Sequence, residues 1–273
     1  MKTIAFSGKG GTGKSTITAL TVRWLSEHVS KSILVVDADA NVGLNDLLGV
    51  PLGETVGAIR EEMKSRVSNL PGGMTKQQFL EYKIQTSLVE TPEYDLIAMG
   101  HPEGPGCYCY ANNLLRDTLC TLADNYEYVV IDNEAGMEHL SRRTAQDIDC
   151  LLIVSDPTVR GIHTAGKISR LVKELKTRVK ETYLILNRIH GAVPQPGLHE
   201  NSEVQRAQIA LPPALLVKIE AEGLKLACTV PEDEKLLETD SIGKPIWPIL
   251  ADSPAYRAVG ELMKKLDIYH SFK

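Results

Sequence analysis

The chain has 273 residues, enough to bury a full hydrophobic core, and no shift in composition divides it, so residues 1–273 read as one domain. A formal net charge of −5 argues against nucleic acid as a partner, and no apolar run approaches the roughly 18 residues that a membrane span needs. Five cysteines, an odd number in a chain whose start leaves no room for a secretion signal, read as reduced thiols and predict a cytoplasmic protein.

The first predicted element is a short buried strand at Ile4, Ala5 and Phe6. It runs at once into Ser7-Gly8-Lys9-Gly10-Gly11-Thr12-Gly13-Lys14-Ser15-Thr16, which fits the G-x-x-x-x-G-K-[ST] pattern of a phosphate-binding loop. Glycines let the backbone turn its N–H groups onto a phosphate, where a Cβ would crowd the oxygens. Gly8 to Thr16 are therefore candidates for holding ATP or ADP. Lys14 would reach the β- and γ-phosphates, and Ser15 would offer a hydroxyl to Mg²⁺ at the helix start. The helix follows over residues 14–29. Ile17, Leu20 and Trp24 form one stripe and Val22, Leu25 and Val29 a second, as expected of a helix covered on most sides.

Apolar or β-branched runs predict further strands at 32–36, 94–99, 128–131, 150–154, 182–187 and 224–230. Helical stretches separate most of them. This alternation predicts an α/β fold of the P-loop NTPase kind, a mostly parallel central sheet covered by helices on both faces. Residues 50–90 read as short helices broken by Leu70-Pro71-Gly72-Gly73 and laid over the sheet edge. A helix over 162–180 is expected to turn Ile168, Leu171, Val172, Leu175 and Val179 inward and a solvated basic face outward. Residues 190–213, which hold Pro194, Pro196, Pro212 and Pro213, read as a loop before a helix at 213–222. The last helix, 253–268, is expected to pack Val259, Leu262, Met263 and Leu266 on the core rather than on a membrane.

Ligands of a doubly wound sheet sit beyond the carboxyl ends of its strands. That rule gathers the phosphate loop, Asp37, Asp39, Asp132, Asn187 and the Cys107–Cys109 pair at one edge. Asp132-Asn133-Glu134-Ala135-Gly136 has the form of a second nucleotide motif, with Asp132 for Mg²⁺ and the Gly136 N–H for the γ-phosphate. Of Asp37 and Asp39, one is expected to act and the other to cap the next turn. Cys107 and Cys109, two apart in a Gly/Pro-rich stretch, form a candidate thiolate pair, with buried cysteine as the alternative. Two thiolates half-fill the four positions that Zn²⁺ or square-planar Ni²⁺ prefers. A two-fold dimer would supply the other pair. Cys120, Cys150 and Cys228 are isolated, mostly in apolar runs.

Lys9, directly after the first glycine, gives K-G-G-x-G-K-S, which resembles the deviant Walker A motif of the nitrogenase iron protein, MinD and ParA superfamily. The resemblance implies catalytic roles for Lys9, Lys14 and Asp39. Lys9 would reach the other protomer's nucleotide across a two-fold interface, and Asp39 would orient the attacking water. It also implies that Asn187 reads adenine and that Pro231, Glu232 and Asp233 flank the base. P-E-G-P-G-C-Y-C at 102–109 and I-D-N-E-A-G-M-E-H-L at 131–140 are similar to the CooC-type ATPases that mature nickel carbon monoxide dehydrogenase and acetyl-CoA synthase. That similarity implies an ATP-hydrolysing homodimer with Ni²⁺ or Zn²⁺ on Cys107 and Cys109 of both subunits, and a nickel enzyme as client. Unlike the nitrogenase iron protein, residues 132–143 hold no cysteine. Two rivals remain: an iron–sulfur cluster carrier or ATP-gated reductase, and a positioning ATPase of the MinD/ParA type.

Overall fold

Strands that are apolar on both faces need cover on both faces. The computed structural model supplies it, and it describes residues 1–30, 32–65, 73–100, 118–133, 147–174, 178–190, 211–249 and 251–266. The described strands are β1 (Lys2–Gly8), β2 (Ile33–Ala38), β3 (Val89–Glu90), β4 (Asp95–Ala98), β5 (Tyr128–Asn133), β6 (Asp147–Ser155), β7 (Arg178–Ile189) and β8 (Leu226–Pro231). They form one sheet in the order β3-β4-β2-β5-β1-β6-β7-β8. Each pairing is parallel except that of β3, which lies antiparallel on β4. The helices are α1 (Lys14–His28), α2 (Leu44–Leu48), α3 (Val56–Ser65), α4 (Lys76–Ser87), α5 (Val159–Glu174), α6 (Pro213–Ala221), α7 (Glu234–Ser241) and α8 (Pro254–Lys265).

Alternation along the strands splits the core into two layers. Ala5, Leu34, Val36, Val129 and Ile131 face one layer with α3, α4, α5 and α6. Ile4, Phe6, Ile33, Val35, Val130 and Leu152 face the other, with α1, α2 and α8. The expected α/β architecture is therefore present. Residues 50–90 do hold two helices, and Ile59, Phe79, Leu80 and Ile84 are buried in the first layer. Sequence reading missed β3, whose two residues are too few to carry a pattern.

One helix differs from expectation. α5 begins at Val159 and ends at Glu174, and Val179 belongs to β7, opposite Ile148. Leu175 and Val179 continue the helical spacing, yet Val179 is taken up by the sheet; residues 175–177 lie outside the described set. The basic face of α5 is partly neutralised from within. Glu222, just past α6, pairs at 2.7 Å with Lys218, with His163 and with Arg170. Lys218 first, then His163 and Arg170, hold its carboxyl down to about 2.

The last helix packs as expected. Val259, Leu262 and Met263 are buried and Leu266 is partly so. Gly260 lies so close to α1 that a Cβ there would sit 3.0 Å from Nε1 of Trp24. Among the described residues no helix is long and apolar enough to cross a membrane. Leu262→Ala should lower stability by about 2–4 kcal/mol, the cost of a buried cavity, in urea unfolding at 25 °C. A change under about 0.5 kcal/mol would mean that α8 is not part of the core.

Candidate nucleotide-binding site

Parallel strands end together, so the topology sets the functional edge. Asp132 is level with Phe6 on one side and Asp37 on the other, and Ser155 is level with Leu186. The loop after β1 rises from the middle of this edge. Gly8 touches the neighbouring strand: a Cβ there would come 2.3 Å from the Val154 carbonyl oxygen. Thr12 closes the loop on itself, its hydroxyl donating to the Lys9 carbonyl at 2.8 Å. Gly13 is left-handed, at φ 83, and α1 starts there with no side-chain cap and no acidic residue in its first turn. Its first N–H groups are thus left for a ligand, at the positive end of a fifteen-residue helix.

Lys14 is 7% exposed and its Nζ donates to Oδ1 of Asp132 at 2.5 Å. Thr18, one turn on, places its hydroxyl 3.3 Å from the same oxygen and 3.0 Å from the Lys14 carbonyl. Sequence reading missed Thr18, although its i+4 spacing from Lys14 is a usable signal. Among the described residues the other oxygen of Asp132, Oδ2, is buried and has no hydrogen-bond partner. Nearby, Oγ of Ser7 and Oδ1 of Asn133 are also buried without a partner among the described residues, while Asn133 donates to the Phe6 carbonyl at 2.8 Å. Buried acceptors of this kind require a ligand, water or ion. Asp132 Oδ2 and the Ser15 hydroxyl are hard oxygen donors that fit Mg²⁺, which takes one or two protein groups beside water and phosphate.

The two aspartates after β2 sit in different surroundings. Asp37 is buried and accepts from the N–H groups of Asp39 at 3.1 Å, Gly43 at 3.1 Å and Leu44 at 3.0 Å, so it folds the loop that starts α2. Burial pushes its carboxyl up, the three N–H groups oppose that, and the Asp132 charge adds to the rise. Asp39 is half-buried and accepts from Asn41 at 2.9 Å. It lines, with Ser15, Asn41 and Lys244, a cleft of about 610 Å³. Asp37, Asp46 and Asp240 line the same cleft, and of the two aspartates after β2 Asp39 is the more open.

Beside Gly13 and Thr16 lies a second pocket, lined by Asn187, Pro231, Glu232 and Asp233. It brings together all four residues expected at the base. Their side chains are already engaged. Asn187 donates to the Thr12 carbonyl at 2.8 Å, and Glu232 pairs with His190 at 2.6 Å. Asp233 caps α7 through the N–H groups of Lys235 and Leu236, and its other oxygen accepts from Ser253 and from the Ala255 N–H at the start of α8. Arg188, which sequence reading passed over, donates to the Gly11 carbonyl at 3.1 Å. Lys9, Gly10 and Gly11 are exposed at the loop tip.

Cys107, Cys109 and Gly136 lie outside the described residues. Among those described, no group of three or more His, Cys, Asp or Glu side chains could hold a metal ion. Burial pushes the Cys150 thiol up to about 12 and the Cys228 thiol up to about 11, which keeps both protonated and poor as ligands.

The family described as AAA domain matches residues 1–185. An uncharacterized ATP-binding protein of Methanocaldococcus jannaschii is 41% identical over 96% of this chain and 97% of its own. The carbon monoxide dehydrogenase accessory protein CooC of Rhodospirillum rubrum is 31% identical over 70% of this chain and 75% of its own. The septum site-determining protein MinD of Pyrococcus horikoshii, solved with Mg-ADP, shares the fold with a TM-score of 0.65 at 19% identity, covering 99% of this chain and 97% of that one.

The contact with Asp132 competes with a phosphate for Lys14. Asp132→Asn removes that competitor, so metal-free ADP should bind the variant about 3- to 10-fold more tightly than the native protein, while the gain from adding Mg²⁺ should largely vanish. Titration calorimetry in EDTA and in Mg²⁺ checks both. Unchanged Mg²⁺ dependence would remove Asp132 from the metal site.

Proposed function

Because the chain belongs to the AAA-domain family of ATP-binding P-loop proteins, we propose that it is a Mg²⁺-dependent ATPase working as a two-fold dimer, and that its nucleotide state controls an intersubunit thiolate site for nickel or zinc. The observation that carries the ATPase reading is the meeting of Lys14, Ser15, Asp132 and Asp39 at one edge of the sheet. The loop from Gly8 to Thr16 and the uncapped start of α1 hold the phosphates, and Lys14 exchanges Asp132 for them. Ser15 and Asp132 would hold Mg²⁺, which when bound neutralises the charge on the β- and γ-phosphoryl oxygens. Asp39 orients the attacking water from the cleft side, Lys9 extends from the exposed tip to the partner's nucleotide, and the Gly136 N–H follows the γ-phosphate. Asn187 and the 231–233 segment receive the base.

The metal reading rests on the Cys107–Cys109 pair and on the similarity to CooC over most of the chain. Under it the metal is cargo. ATP closes the dimer, brings two thiolate pairs together, and hydrolysis loosens them for transfer to a client nickel enzyme such as carbon monoxide dehydrogenase or acetyl-CoA synthase.

Two variants separate the proposed roles at the phosphate end. Lys14→Ala should weaken ATP binding itself. Asp39→Ala should bind ATP as the native protein does and hydrolyse it about 100-fold more slowly, since it loses only the group that orients water. Equal loss of ATP affinity in both, by equilibrium binding, would take Asp39 out of that role.

Metal analysis of anaerobically purified protein tests the cargo site. One metal per dimer is expected, with tight binding abolished by Cys107→Ser or by Cys109→Ser, since either change removes two of four ligands. Affinity should also fall as pH drops and protons compete for sulfur. One metal per monomer, or tight binding kept in both variants, would sink the shared site. A brown protein with visible absorption would instead favour an iron–sulfur cluster across the same four cysteines.

A further inference from the structure

β7 carries an irregularity at the functional edge. Its pairing with β8 shifts register between Leu186 and Ile189, and Arg188 between them is left-handed, at φ 57. Such a conformation is uncommon for a residue with a side chain and is kept where the surroundings determine it. Here the bulge turns two successive side chains onto two successive carbonyls of the phosphate loop. The Asn187 amide donates to Thr12 O at 2.8 Å and the Arg188 guanidinium to Gly11 O at 3.1 Å. Asn187 is buried, and it approaches Gly13 so closely that a Cβ there would come 2.3 Å from its Nδ2.

We infer that Asn187 and Arg188 are positioning residues for the phosphate loop, acting on any phosphate ligand whatever base it carries. This rests on the ATP-binding reading and goes beyond the adenine role implied for Asn187. The peptide unit is planar and trans, so a carbonyl and the next N–H point in opposite directions. Holding Thr12 O against β7 therefore turns the Gly13 N–H away from β7. The loop is thus held for its ligand before the ligand arrives, and the ordering cost at binding falls. Gly13 is required twice over, by its own φ and by the nearness of Asn187. The amide has two N–H groups and one oxygen, and only one N–H is used on Thr12. The remainder is left for a base, so the two roles are compatible and separable.

The test uses a ligand with no base. Binding of Mg²⁺-tripolyphosphate, Mg-ATP and Mg-GTP is measured by calorimetry on the full chain and on Asn187→Ala, Asn187→Asp and Arg188→Ala, with thermal melting to confirm folding. Asn187→Ala should lose about 10-fold in affinity for tripolyphosphate and at least as much for ATP, as expected when one buried hydrogen bond is removed. Arg188→Ala, exposed, should lose about 3-fold for tripolyphosphate, ATP and GTP alike. Asn187→Asp keeps the shape but loses the donor. It should also raise hydrogen exchange of the loop amides in the nucleotide-free protein, a readout that needs no ligand and serves if the alanine variant does not fold. Native affinity for tripolyphosphate in the Asn187 variants, with only the preference for ATP over GTP lost, would overturn the inference and leave Asn187 as a base reader. A native protein that binds neither tripolyphosphate nor ATP would overturn the ATP-binding reading as well.

Discussion

The pair of Lys14 and Asp132 is the constraint on which the functional edge depends. Two opposite charges lie 2.5 Å apart, almost fully enclosed, at the end of the central strands. A charge in such a place must be matched, and losing either partner strands the other at a cost of about 3–5 kcal/mol. The surroundings are built around that need. Thr18 gives Asp132 a hydroxyl, and the loop after β2 turns three N–H groups onto the neighbouring Asp37. Without those N–H groups, two carboxylates level in adjacent strands would compete for one lysine.

The pair also explains why the sheet must be parallel here. Only parallel strands bring the ends of β1, β2 and β5 to one edge, where a helix N-terminus, a lysine and two aspartates can share a few ångströms. The P-loop and α1 supply positive potential from backbone dipoles, and the strand ends supply the acids. Neither half is stable in charge terms alone. Together they form a site that is internally neutralised in its free form.

Much of this was legible in the chain. The loop motif fixed Gly8 to Thr16, and the position of Asp132 after four apolar residues identified the opposing acid, because both depend on short local patterns. The resemblance named Asp39 rather than Asp37 for the water, and what it did not show is that the backbone of residues 39–44 folds around the Asp37 carboxylate. Arg188 was invisible for a similar reason: its importance comes from a bulge and a left-handed φ, not from its residue type. The end of α5 was misplaced because Val179 suits a helix by spacing yet pairs with Ile148 in the sheet. Asn187 and Asp233, named together from the sequence, line one pocket, but that reading missed that their polar atoms already hold the loop and two helices.

Asp233 ties distant parts of the sequence into one mechanical unit. One of its oxygens starts α7 and the other fastens Ser253 and the first turn of α8, so one carboxylate joins the wall of the pocket beside Gly13 to the closing helix of the second core layer. A load applied to the C-terminal helix would reach that wall through this carboxylate and through the packing of α8 on α1 and β8. A displacement of this helix is therefore felt at the pocket beside Gly13, which Ala255 of the same helix lines.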